Sequence, residues 1–364
     1  MPVLEGAVPA PAVERARSSE DLVTAGAGTW LILALFADGW AHFNVPELEG
    51  FFTPWHGALY SGFAATALWV AVLGLRRGVT LSQGLRHPLQ ALSSLPAGYP
   101  LAGVGVVVFA LGGLADLIWH ETLGVEVGID ALLSPSHLTL FLGGTLLLTA
   151  PLRGAWTAPD GAAGMPARLP ELLSLALTTS LTGFFLLYSS AFLRPGVDET
   201  FVRLPEDAPG HEAAEIPAIL TLTSFLVTTA LLVVPVLLLA KRGPVPRGAV
   251  PLLVVPLVWL SVALDELEQA PLAIAVTLAA VAADVVVRRV ERLPAALRLP
   301  AVGGVVPLLV WPAALLAIAL TDAVRYPVAL WSGVVVLTVF AGALLGGLAR
   351  SVQCDPRPET DLQA

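Results

Sequence analysis

Charge is scarce in this 364-residue chain, and cysteine, methionine and lysine are nearly missing. Asp, Glu, Lys and Arg together make up 13% of residues, about half the roughly 25% of a soluble domain, too little to cover a solvated globule. One cysteine, Cys354 in the polar C-terminal tail, excludes an internal disulfide. Two methionines, Met1 and Met165, leave no thiolate or thioether set of the kind that holds Cu(I), so any metal site must be built from His and carboxylate. The formal charge of −9 offers no basic surface and excludes nucleic acid as a partner. One Lys against eighteen Arg is read as coding bias rather than function.

What is present is apolar. Hydrophobic residues make up 56% of the chain and the mean hydropathy is +0.80. Runs long enough to cross a bilayer recur along the length. The expected fold is an all-α, polytopic membrane bundle of about ten transmembrane helices, at 23–43, 56–75, 99–121, 136–152, 170–193, 215–240, 248–265, 271–287, 299–321 and 327–349. Pro, Gly and charge clusters separate them. Residues 1–22 lack a basic start and a small-residue cleavage site and are expected to form a cytoplasmic tail, as are residues 350–364. Residues 23–152 are expected to be a four-helix metal-binding half and 153–349 a six-helix membrane half.

Basic residues set the orientation. Arg15, Arg17, Arg76, Arg77, Arg86, Arg153, Arg168, Lys241, Arg242, Arg247, Arg288, Arg289, Arg292, Arg298, Arg350 and Arg357 fall on one side of the ten spans, and only Arg194, Arg203 and Arg325 on the other. Both termini are therefore expected in the cytoplasm of a cell whose inner (plasma) membrane holds the chain. Glu47, Glu49, Glu121, Glu126, Asp130, Asp198 and Glu199 collect toward the outer side.

One phrase occurs twice. Asp38-Gly-Trp-Ala-His42 is followed, with thirteen residues between the two histidines, by the last residue of Glu49-Gly-Phe-Phe-Thr-Pro-Trp-His56. Asp116-Leu-Ile-Trp-His120 is followed, with sixteen residues between, by that of Asp130-Ala-Leu-Leu-Ser-Pro-Ser-His137. Downstream, Tyr60 matches Phe141 and Gly62 matches Gly143. Four of the six histidines lie in this repeat. Asp and His four residues apart project from one helix face. Pro54 and Pro135 suit a first helical turn, and the preceding hydroxyls suit caps. Each helical hairpin thus carries two imidazoles and one carboxylate, a set that suits Cu(II), Zn(II) or Fe(II) and leaves coordination positions open. Asp38, His42, His56, Asp116, His120 and His137 are the candidate ligands. A structural alternative is that Asp–His hydrogen bonds merely pin the hairpins. Glu49, Glu121, Glu126 and Asp130 are either outer acceptors for the imidazoles or solvated loop acids.

The pattern resembles the C subunit of the particulate methane and ammonia monooxygenases, the copper membrane monooxygenases, over residues 30–145. That family's motif reads Asp-x3-His-x12-His with a Trp before the first His and a Thr-Pro-Ser-His ending, close to Asp116, Trp119, His120 and Ser134-Pro-Ser-His137 here, although sixteen residues intervene rather than twelve. A second family motif, Asn-x3-His-x13-His, has the spacing of Asp38, His42 and His56, with Asp38 in place of Asn. The resemblance implies copper as the cofactor, with zinc or iron the alternatives, and an oxidoreductase of monooxygenase type acting on a small substrate.

Beyond residue 153 candidate ligands thin out. The turns at 265–271 and 322–327 look like degenerate hairpin repeats or ordinary hairpin chemistry. The acidic connection 194–214, with His211, is either a lid over the metal site or a solvated loop. Asp284 is expected to pair with Arg288 and Arg289, and His87 stands alone. Three functions fit: a copper-dependent membrane oxidoreductase, a metal-binding or transport protein, and a non-catalytic accessory subunit. The lipid bilayer is the expected partner in each, with other membrane subunits or a second copy of the chain beside it.

Overall fold

The computed structural model describes residues 14–45, 50–124, 128–157 and 165–350. Among them the chain is helical and without strands: α1 (Ser18–Asn44), α2 (Pro54–Arg76), α3 (Leu81–Arg86), α4 (Pro88–Ser93), α5 (Pro100–Leu123), α6 (Ile129–Leu133), α7 (Pro135–Leu148), α8 (Ala150–Trp156), α9 (Met165–Phe185), α10 (His211–Arg242), α11 (Ala249–Ala263), α12 (Ala270–Val290), α13 (Ala295–Thr321) and α14 (Val328–Leu348). Glu47, Glu49, Glu126 and Cys354 lie outside the described residues, as do most of both tails.

Seven of these helices, α1, α2, α5, α10, α12, α13 and α14, are long and apolar enough to cross a membrane, and α7 with α8 makes an eighth if the pair counts as one bent span. The chain is thus a helical, multi-pass membrane protein, with fewer clear spans than the ten expected. At 15 residues, α11 rises about 22 Å, short of a hydrocarbon core of about 30 Å. The expected span 136–152 bends by 43° between α7 and α8. Pro151 lacks the N–H a continuous helix would use there.

The expected span 170–193 is corrected at its end. α9 stops at Phe185, a 3-10 turn follows at Leu187–Ser189, and the apolar residues Ala191, Phe192 and Leu193 are buried without being helical. Their backbone finds partners inside the protein: Ala191 N–H donates to Thr228 Oγ1 at 3.0 Å. Irregular backbone is tolerated at membrane depth where protein covers it. Apolarity alone does not distinguish such a buried plug from a span.

Two hairpins carry the candidate ligands. α1 packs on α2, and α5 on α7. Glycine sets both approaches. A Cβ on Gly62 would lie 2.8 Å from Leu31 Cα, and one on Gly143 would lie 2.5 Å from Phe109 N. Each pair of backbones meets where only a hydrogen side chain fits. α10 to α14 form a separate core around Trp311, which is fully buried against Phe225 and Phe192 and donates its indole N–H to Thr229 Oγ1 at 2.8 Å. α9 lies between the two parts, against α1, α7 and α11.

Candidate metal centre

Local sequence places each ligand. Asp38 and His42 sit one turn apart near the end of α1, and Asp116 and His120 near the end of α5. Thr53 and Ser134 cap α2 and α7, accepting from the backbone N–H of His56 at 3.1 Å and of His137 at 3.4 Å, with Pro54 and Pro135 at the first helical positions. All six candidate side chains consequently gather at one end of the four helices. They line one cavity of about 320 Å3 whose remaining walls include Leu31, Leu59, Phe109, Leu140, Leu181 and Phe184.

Within the first hairpin, His42 Nε2 and His56 Nε2 lie 3.9 and 3.6 Å from Asp38 Oδ2. Within the second, His120 Nε2 and His137 Nε2 lie 3.5 and 3.3 Å from Asp116 Oδ1. The sets are not separate as the spacing suggested. Ligand atoms of Asp38, His42 and His56 fall within 4.8 Å of one another, and so do those of His56, Asp116 and His120. His56 therefore joins the two hairpins. Its ring centroid is 5.7 Å from those of both His42 and His120.

Hydrogen bonds orient the imidazoles. His56 Nδ1 lies 2.8 Å from the Phe51 carbonyl. A carbonyl only accepts, so Nδ1 carries the proton and Nε2 presents its lone pair to the cavity. One lone pair serves one ion, so the two groups that share His56 cannot both use it at once. His137 Nδ1 lies 2.7 Å from Ser134 Oγ. Around Asp116, the Tyr60 hydroxyl donates to Oδ2 at 3.3 Å and Ser136 Oγ donates to Oδ1 at 3.4 Å. Tyr60 and Ser136 were not singled out as functional in the sequence, although each carries a signal. Tyr60 is one helical turn after His56, and Ser136 is the middle residue of the Ser-Pro-Ser-His phrase.

The spacings are loose for a hydrogen-bonded pin and admit an ion. The carboxylate–imidazole distances of 3.3–3.9 Å exceed the usual hydrogen-bond range of about 2.7–3.2 Å. Their short end, 3.3 Å at His137–Asp116, meets the separation of roughly 3.3–3.4 Å between two ligands held about 2.0–2.1 Å from a tetrahedral ion. Asp38 Oδ1 and both ring nitrogens of His120 are buried without a hydrogen-bond partner. No Lys or Arg lines the cavity. Two carboxylates in an apolar enclosure need counter-charge, and a divalent cation fits both the charge and the donor set.

Other candidates fall elsewhere. Glu121 and Asp130 are exposed and outside the cavity lining, so they face solvent or headgroups rather than back the ligands. His211 begins α10, its Nδ1 3.0 Å from the Leu204 carbonyl, and does not line the cavity. In the 194–214 connection, the Val197 carbonyl accepts from Arg325 N at 2.8 Å, docking this stretch on the second core. Asp265 and Asp322 lie outside the cluster, Asp322 paired with Arg325 at 3.6 Å. His87 is exposed between α3 and α4.

Comparison with protein-family profiles, with curated proteins and with solved structures gives no match to this chain.

Proposed function

We propose that the chain is a membrane metalloprotein whose Asp38, His42, His56, Asp116, His120 and His137 hold a divalent transition-metal ion, copper in the first instance and zinc or iron otherwise. The observation that carries the reading is the convergence of all six on one cavity, with buried ligand atoms left unpaired and no basic residue to balance the carboxylates. A His/Asp shell suits Cu(II) and, with three protein ligands, keeps a position open for a small molecule.

The accompanying membrane arrangement is ten crossings with both termini cytoplasmic and the cluster at the outer face. The basic residues support it: Arg76 and Arg77 end α2, Lys241 and Arg242 end α10, and Arg288 and Arg289 end α12, all at the side the sequence assigns to the cytoplasm. The activity is an oxidoreductase of monooxygenase type toward a small substrate. Inserting one atom of dioxygen into a C–H bond and releasing the other as water consumes two electrons and two protons, which an external two-electron donor would supply. That assignment rests on the resemblance to the copper membrane monooxygenases, and other subunits or a second copy of the chain are its expected partners.

Elemental analysis with EPR on detergent-purified protein tests the metal reading. Wild-type protein retains near-stoichiometric copper with a nitrogen-coupled Cu(II) spectrum, and His56→Ala loses most of it. Metal content at background in the wild type after copper loading, or equal content in both proteins, overturns it. Oxygen consumption with a quinol and a short alkane tests the reaction independently.

A further inference from the structure

A second cavity touches His56 from the opposite side. It is a cleft of about 610 Å3 between α2 and α5, lined on α2 by Thr53, His56, Gly57, Tyr60 and Phe63 and on α5 by residues 110, 113, 114 and 117, with Phe51 and Phe52 above. The α5 positions recur at the three- and four-residue spacing of one helix face. The two helices make few contacts with each other, far fewer than either makes with its own hairpin partner. The cleft is the seam between the hairpins.

Three features define what it admits. No charged side chain lines it, and its polar groups are the Thr53 hydroxyl, the His56 imidazole and the Tyr60 phenol. Its rim is apolar and outward-facing: Phe52, in the connection before α2, is 85% exposed, and Leu114, on the apolar helix α5, 54% exposed. Glycine gives it width. A Cβ built on Gly57 meets nothing within 4 Å, whereas Gly113 makes room for the Tyr60 ring, which a Cβ there would meet at 2.7 Å. His56, with a side chain only 4% exposed, lines both this cleft and the cavity of the six ligands. Tyr60 stands beside it with its hydroxyl on Asp116.

We infer that the α2–α5 cleft binds a small, neutral, apolar molecule dissolved in the bilayer and presents it to the His/Asp cluster across the His56–Tyr60 partition. This deepens, and rests on, the metalloprotein reading: it assigns the ligand class as neutral and bilayer-soluble, and the route as lateral. The aqueous end of the cluster, where the His42 side chain is 31% exposed, is left to polar species. An ionic or strongly hydrated substrate would have to leave its hydration shell in a cleft with no charge to replace it.

The test uses the full chain in phosphatidylcholine nanodiscs with fluorobenzene as the probe, followed by 19F NMR. Metal-free wild type binds fluorobenzene saturably, above partition into empty nanodiscs. Gly57→Leu projects a side chain into the cleft from a position where a Cβ meets nothing within 4 Å and weakens binding at least tenfold. Ala110→Leu does the same from the other wall, and Gly333→Leu, at an open position on α14 outside the cleft, changes binding less than twofold. After copper loading, the bound probe's resonance broadens in the wild type and not in Gly57→Leu. Binding no greater than partition into empty nanodiscs, equal binding in wild type, Gly57→Leu and Ala110→Leu, or occupation by a phospholipid acyl chain that fluorobenzene does not displace each overturns the cleft. Saturable, Gly57-dependent binding in a protein that takes up no metal upholds the cleft and defeats the metalloprotein reading instead, so the two failures are told apart.

Discussion

Replacing Asp116 by Asn separates a metal ligand from a structural pin, because the two roles predict opposite signs in metal-free protein. The side chain is 2% exposed, lies 3.5 and 3.3 Å from two imidazoles, and accepts from Tyr60 and Ser136. Asn keeps the shape and one acceptor oxygen while removing the charge. The cost is about one hydrogen bond, roughly 1 kcal/mol. Against it stands relief of a buried carboxylate with no Lys or Arg in its cavity, whose desolvation costs several kcal/mol that its two hydrogen bonds offset only in part. Metal-free Asp116→Asn is therefore as stable as the wild type or more so. With metal the order reverses. At one hundred times the dissociation constant, binding stabilises the wild type by about 2.7 kcal/mol. Even outer-sphere changes weaken metal sites by about 10–100-fold; a 100-fold loss at the same metal concentration leaves about 0.4 kcal/mol. At about 2 °C per kcal/mol, this is a metal-induced rise of about 5 °C in the wild type and about 1 °C in the variant. Differential scanning fluorimetry with and without Cu(II) or Zn(II) reads both. A metal-free variant melting well below the wild type, together with a flat wild-type response to metal, would refute the reasoning and restore the pin.

Gly62→Leu forces a Cβ to within 2.8 Å of the α1 backbone and should cost about 1–3 kcal/mol or more, seen as a lower melting temperature, while Gly57→Ala at an open position leaves it unchanged. Asp284→Ala removes a carboxylate that accepts from the N–H groups of Gly248 at 3.0 Å and Val250 at 3.3 Å and pairs with Arg288; the expected loss is about 3 kcal/mol, and Arg289→Ala, outside those bonds, changes little. Phe184→Ala empties a site packed edge-on against Phe36 at 5.1 Å in the cavity wall, costing about 3–5 kcal/mol and broadening any Cu(II) EPR spectrum by disordering its surroundings. Burial raises the Glu291 carboxyl above its ordinary 4.5 despite the Val245 N–H. A raised acid favours the folded state more at low pH and loses that advantage as pH climbs through the folded value, so Glu291→Gln should be neutral to slightly stabilising at pH 7, with the gain gone below pH 4 in pH-resolved melts.

Local order was legible wherever it depends on neighbours in the chain. The Thr-Pro and Ser-Pro steps foretold the caps of α2 and α7, and Asp-x3-His foretold one-turn pairs on α1 and α5. The hydropathy runs located helices in every expected stretch. Legibility failed where the controlling contact lies far along the sequence. Residues 191–193 have the composition of a span, yet Thr228 and the aromatic cluster at Trp311 hold them as an irregular buried segment. Asp284 has two arginines one turn away, yet its main work is to cap α11, thirty-odd residues earlier. The 265–271 turn carries Glu266 and Leu267 at positive φ, and Asn44 reaches across to the Leu264 carbonyl at 2.9 Å. No spacing rule exposes that link between the two halves.

The same distinction explains the site. Each hairpin's spacing argues for its own three-ligand set, and in the first hairpin that is what the atoms form. In the second, His56 of the first hairpin lies close enough to Asp116 and His120 to make a group of its own, a proximity set by how α2 meets α5. Nor does the boundary near residue 152 isolate the half that carries the candidate ligands. Leu181, Phe184, Phe185, Leu187 and Tyr188, all beyond it, wall the cavity, and Gly39 leaves the space that Phe184 fills, since a Cβ there would sit 2.4 Å from its ring. A buried pair of carboxylates gains from such a wall only if something inside the cavity answers their charge. The apolar enclosure, the absence of arginine and lysine from its lining, and the His120 nitrogens without a hydrogen bond are therefore linked: on the metalloprotein proposal, residues 181–188 would keep water away from a cation held by the two hairpins.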